Sequence, residues 1–162
     1  MQRLRAPFDV LPYSALIDAC ERFFEHLIEV RQSSLYFQPY MLAGSESATE
    51  VLISVRRDAV AAILMNLYIL AGALRSARPV PRYLPSAAAA RKRLLERMEE
   101  VEQEQSAAPK RPKPGKSRRW ADVYQYAYSS ALTDIVEQLQ QLQTYTKVIT
   151  GEVGFDLHEK RT

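Results

Sequence analysis

Four stretches of this chain repeat apolar residues at helical spacing. From about Pro12 to Phe37, Tyr13, Leu16, Cys20, Phe23, Leu27 and Val30 recur in steps of three and four, with Phe24 and Ile28 widening the stripe. Pro12 suits a first helical turn, where its missing N–H would have had no partner. A second helix is predicted from about Ala48 to Arg78. Ser47 followed by Glu50 has the capping-box spacing, and Pro79 and Pro81 stop the helix. A third runs from Pro85 or Ser86 to Glu104. Its run of alanines, Ala87 to Ala90, favours helix, and its thin stripe of Leu94, Leu95, Met98 and Val101 predicts an outer position. The fourth, from about Trp120 to Thr150, has the cleanest period. Tyr128, Leu132, Ile135, Leu139, Leu142, Thr146 and Ile149 form a seam for lengthwise packing, and Gly151 supplies a C-terminal cap.

Residues 59 to 74, AVAAILMNLYILAGAL, carry no charge and are closed by Asp58 and Arg75. A bilayer core needs about 20 mainly apolar residues in helical form. This run is shorter, contains Asn66 and Gly72, and is preceded by Arg56 and Arg57 rather than by more apolar length. It therefore predicts a central helix buried on nearly all sides instead of a membrane span. The expected architecture is all-α: an antiparallel four-helix bundle around the second helix, with one long basic loop before the last. Residues 1–162 make a single domain, with a core over 8–152, a flexible basic loop at 105–118 and a tail at 153–162. Between the second and third helices, Pro79, Pro81 and Pro85 hold a rigid corner. Tyr83 and Leu84 are expected to anchor that corner, the rival being a Tyr83 exposed to a partner.

Composition fits one soluble domain: 162 residues, 47% apolar and 25% charged. A lone Cys20 forms no internal disulfide and the N-terminus lacks a signal-peptide pattern, so a reducing, cytosol-facing setting is the default. The net charge is +3, but Lys110, Arg111, Lys113, Lys116, Arg118 and Arg119 cluster in one segment, and without those six the remainder stands at −3. No nucleic-acid face is predicted from that distribution. The basic segment reads as a solvated connection, first to be cut by a protease, or as a contact with an anionic membrane surface.

Candidate chemistry is sparse. His26 lies beside Glu25 and His158 beside Glu159, but no Glu-x-x-His motif, tetrahedral zinc set, Gly-rich phosphate loop or nucleophile elbow occurs. Cys20 on the seam reads as a buried, inert thiol. Asp18, Arg22 and His26, four apart, and the nearby Glu21 and Glu25 read as solvated helix pairs. Trp120, Tyr124, Tyr126 and Tyr128 either pack in the core or form an aromatic patch. No catalytic, cofactor or metal residues are assigned and no cofactor is expected. Tyr83, Trp120 and Tyr124 are the candidate partner contacts.

The segment ARPVPRYLPSAAAARKRLLERM, residues 77–98, resembles the Pro-x-Pro-x-Tyr-x-Pro-Ser and Ala-Arg-x-Arg-Leu signature of a fungal domain that follows the membrane spans of six-span transporter-like proteins, brefeldin A sensitivity proteins or aromatic acid exporter-like proteins. YAYSSALTDIVEQLQQL, residues 126–142, is similar to that domain's closing helix, and the opening FxxLPYSALIDACERFFEHLIEVRQ to its first. The resemblance covers roughly residues 8–152. It implies a non-enzymatic helical domain on the cytoplasmic side of the endoplasmic reticulum or plasma membrane, serving regulation, assembly or partner binding beside a membrane transporter domain. With no preceding spans in its sequence, the chain reads as a detached or partial product that does not itself transport. The alternative is a bundle that senses a small aromatic acid, which requires a cavity of roughly 300 Å³ or more.

Overall fold

A computed structural model describes residues 9–41, 46–107 and 116–153. It is an all-α bundle of four helices: α1 (Leu11–Met41), α2 (Glu46–Ser76), α3 (Ala87–Ala107) and α4 (Lys116–Thr150). Helix ends follow local chemistry. At the start of α1 the Asp9 carboxylate accepts the Leu11 N–H at 3.1 Å, an amide with no partner inside the helix. The Ser86 hydroxyl caps α3 by accepting the Ala89 N–H at 3.1 Å. Helix α2 already begins at Glu46, so Ser47 lies inside its first turn instead of capping it from outside. The segment expected to be a loop over 105–118 is shorter than that: residues 105–107 close α3 and 116–118 open α4, while 108–115 lie outside the described residues. So do His158 and all but the first residue of the expected tail.

The hub is α4. It touches all three other helices, most extensively α1, whereas α1 and α2 barely meet. Along α1, Arg22 donates to Gln138, His26 approaches Asp134 and Tyr36 stacks on Tyr124, so rising numbers on α1 meet falling numbers on α4. Every seam residue of α4 from Tyr128 to Thr146 is buried, and Ala131, Val136 and Gln138 extend the buried surface around the helix.

The expectation that α2 is central is therefore corrected. Across its most apolar stretch, Glu50–Ser76, mean hydropathy reaches 1.6, high enough and long enough to cross a membrane by those measures, yet only 28% of the window is buried. Its inward face is made of Leu52, Ala59, Ile63, Asn66, Leu70 and Ala73, while Val60, Leu64, Met65 and Tyr68 face outward. Large aliphatic side chains are divided between the two faces. Over residues 59–74 charge patterning cannot reveal which side faces out, because neither face carries a charge there.

The prolines end α2 and leave the corner to be tied down by backbone. Ala77 closes α2 with φ at 49°, and the Arg78 N–H bonds the Ala73 carbonyl at 3.1 Å, the six-to-one bond of a Schellman cap. A non-glycine residue at that φ is strained, so Ala77→Gly is expected to raise stability by about 1 kcal/mol in a denaturant titration. Beyond it, Val80 donates to the Gly151 carbonyl at 2.9 Å and accepts from Val153 at 2.9 Å, a parallel bridge to the end of α4. Val80 is fully buried. Gly151, at φ 87°, turns the chain out of α4 and makes this pairing possible.

Candidate interaction surface

The structure separates the three candidate contact residues. Tyr83 sits at the α2–α3 corner, 79% exposed, with the Arg82 guanidinium 5.9 Å from its ring centre. It does not anchor the corner; Val80 does, and Leu84 is only partly buried against the core. The physical reason is the bridge: the backbone pairing of Val80 to the end of α4 draws that residue inward and turns Tyr83 out. Tyr83→Ala is accordingly expected to leave the melting temperature within about 1 °C of the parent in a thermal scan, as for an exposed side chain.

Trp120 and Tyr124 lie near the opposite end of α4, roughly 40 Å or more from the Val80–Gly151 pairing at 1.5 Å per residue. Trp120 is exposed. Tyr124 is half-buried, its ring stacked on that of Tyr36 with centroids 4.4 Å apart and planes at 16°. One belongs to the surface and the other fastens α1 to α4, so the three residues do not form one site.

Polar side chains also link neighbouring helices. Arg22, expected to pair with Asp18 or His26, instead donates across to Gln138 at 3.2 Å and Gln141 at 3.4 Å on α4. His26 pairs with Glu29 at 2.9 Å rather than with Glu25. The Tyr128 hydroxyl is buried against the Arg56 guanidinium of α2; burial pushes its pKa above the ordinary value, and the nearby cation opposes the shift. A phenol raised in this way contributes stability that is fully present below about pH 10 and is lost as pH rises through the folded value. Alkaline titration of the melting temperature should thus fall above about pH 10, and Tyr128→Phe should flatten that fall. Cys20 is half-buried against the core rather than fully enclosed, and burial pushes its thiol up, away from the reactive thiolate. Among the described residues no group of three His, Cys, Asp or Glu is placed to hold a metal ion.

Two open clefts lie along α3. One, of about 250 Å³, is lined by Arg82, Tyr83, Ala87, Gln140 and Lys147 among others. It falls short of the volume expected for an aromatic acid, and its Lys147 is engaged by Glu152 at 3.0 Å. The other, of about 320 Å³, is lined in part by Glu99, Glu102 and Asp122, a wall that repels an acid.

What the sequence reading missed are apolar faces left bare. On α1, Ile17, Phe24, Ile28 and Leu35 are exposed along one side, while the contact with α4 runs through Ala19, Phe23, Ser33 and Ser34. Phe24 and Ile28, taken as a widened core stripe, belong to the outer face. On α2, Val60, Leu64, Met65 and Tyr68 are exposed. The signal lay in the uncharged run itself, whose length exceeded what one packing face requires.

The chain is 29% identical to Protein BRE4 of Eremothecium gossypii over 158 residues; that match takes in 88% of this chain and 15% of the relative, so the chain spans a small part of the length of the protein it resembles. No solved structure matches. The model of the Brefeldin A-sensitivity protein 4-like domain matches residues 2–154, nearly the whole chain, and with the all-helical fold it places this protein in that family.

Proposed function

We propose that the chain is a non-catalytic helical docking domain that serves regulation, assembly or partner binding within a larger, transporter-like membrane protein, on its cytoplasmic side. The observation that carries this is the uncovered apolar face of α1, with Ile17, Phe24, Ile28 and Leu35 exposed in a row on a helix whose other face is already committed to α4. The small share of Protein BRE4 that the chain matches leaves ample chain to cover it. An active site is a poor match for what is present: the histidine and cysteine side chains described are held in structural contacts, and the clefts lack a convergent set of acid, base or nucleophile. The basic segment containing Lys110, Arg111 and Lys113 would add an electrostatic contact to the same membrane-proximal setting.

The test is reconstitution from two pieces. Protein BRE4 expressed without the segment this chain matches should co-purify with the chain, and Phe24→Asp with Ile28→Asp should abolish the complex while leaving the melting temperature unchanged. Absence of a complex with the parent chain, or a complex indifferent to those two changes, would refute the docking reading.

A further inference from the structure

We infer that the outer face of α2 is a lipid-contacting surface that lies on an anionic bilayer. Along one side of α2, Arg57, Val60, Ala61, Leu64, Tyr68, Ala71, Gly72 and Arg75 follow one another at helical spacing, and all are exposed. Between the two arginines this ridge has no charged residue over roughly 27 Å, at 1.5 Å per residue. Tyr68 is 78% exposed and Leu64 59%. At Gly72 an added Cβ would meet nothing within 4 Å, so the ridge is bare at its C-terminal end as well. Asp58 falls to the side of the ridge, and Glu50 lies two turns beyond Arg57, outside the uncharged strip.

The charges decide what can cover such a strip. Arg57 and Arg75 cap its two ends, Arg78 and Arg82 follow, and none of the four has an ion pair with an acid among the described residues. A second copy is disfavoured by that arrangement. Antiparallel α2 ridges would set Arg57 against Arg75 of the copy, and parallel ones would set each arginine against itself, like charge on like. The fitting occupant is apolar in the middle and anionic at both ends. A bilayer surface containing acidic phospholipid meets both demands. Val60 and Leu64 reach the acyl boundary, the Tyr68 ring sits at the interface with its hydroxyl toward water, and the arginines meet phosphates. The face opposite the ridge is held by α3 and α4, so the helix lies on the surface with the bundle above it. This inference rests on α2 alone and stands apart from the α1 docking surface, which has its own test.

The experiment is flotation of the full chain with vesicles of phosphatidylcholine, with and without about a quarter phosphatidylserine, at physiological salt. The parent should float with the anionic vesicles and largely fail to float with neutral ones. Leu64→Asp should weaken binding by about tenfold or more, in line with the loss of a buried aliphatic group. Arg57→Glu with Arg75→Glu should reduce anionic binding to the neutral level. Because these three side chains are exposed, thermal scans of the variants should match the parent, which separates lost binding from lost folding. Glutamine at Lys110, Arg111, Lys113, Lys116, Arg118 and Arg119 tests the rival basic segment. If that variant loses all binding while Leu64→Asp loses none, the α2 surface is refuted. No flotation of the parent refutes it equally, as does sedimentation showing a dimer that Leu64→Asp dissolves.

Discussion

Asn66→Ala is expected to destabilise the protein by about 3 kcal/mol, lowering the melting temperature by roughly 6–12 °C for a chain of this size. Asn66 is fully buried near the middle of α2. Its side-chain amide donates to the Ala62 carbonyl at 2.7 Å and to the Pro85 carbonyl at 2.8 Å, while its oxygen accepts from Gln143 Nε2 of α4 at 2.7 Å. One side chain thus joins α2, the proline corner and the hub helix, with both of its donor hydrogens used. Truncation leaves the Pro85 carbonyl and the Gln143 amide without that partner and opens a small void, and each loss contributes on the order of 1 kcal/mol or more. A double-mutant cycle with Gln143→Ala should return a coupling energy of about 1–2 kcal/mol. Asn66→Asp separates hydrogen-bond geometry from volume. The introduced carboxylate would face the Ala62 and Pro85 carbonyl oxygens, to which the amide had donated. Its folded pKa would lie above the unfolded value near 4, so the neutral form is favoured in the fold and stability should fall as pH rises through the folded pKa. Chemical denaturation of Asn66→Asp at pH 4 and at pH 7 should show the greater stability at pH 4.

How much of this could be read from the sequence depends on whether the signal is local. The seam of α4 is legible because its apolar steps of four and three are set against Glu137, Gln140 and Thr144 on the outer side, and its seam residues from Tyr128 to Thr146 are buried as expected. The same spacing misleads on α1, where two apolar faces compete. Phe24 and Ile28 are as hydrophobic as Phe23, and only the partner helix selects between them. Asn66 looked like a reason to doubt a membrane span, but its role depends on Pro85 and Gln143, the latter far away in sequence. The corner shows the same limit: side-chain size pointed to Tyr83, whereas the anchor is Val80, chosen by backbone pairing with Gly151 and Val153. Of the candidate contacts, Tyr83 and Trp120 are exposed, but the stacking of Tyr124 on Tyr36 was invisible because it joins distant segments. The two bare faces were hidden for a simpler reason. Hydrophobicity reports that a residue favours leaving water, and says nothing about whether its cover belongs to the same chain.

Leu139→Ala is expected to cost about 3–4 kcal/mol, and Leu64→Ala less than about 0.5 kcal/mol, although the two changes remove the same atoms and α2 is the more apolar of the two helices. Leu139 is 1% exposed, at the heart of α4, while Leu64 is on the outer ridge of α2. Truncating Leu139 forfeits its transfer free energy and leaves a cavity walled by helices that cannot all close on it, since α4 is the element they share. Truncating Leu64 removes surface already in water. If α2 were the hub, as its uncharged run first suggests, the two values would be close to equal or reversed. Urea unfolding of both variants measures the difference directly, with an unchanged slope showing that the two-state comparison holds. Vesicle flotation on the same two proteins adds a second axis. Leu139→Ala should float like the parent while folded, and Leu64→Ala should float less well at unaltered stability. That inversion, stability lost at one leucine and lipid affinity at the other, would assign the two helices opposite work: α4 holds the bundle together, and α2 carries its apolar surface outward.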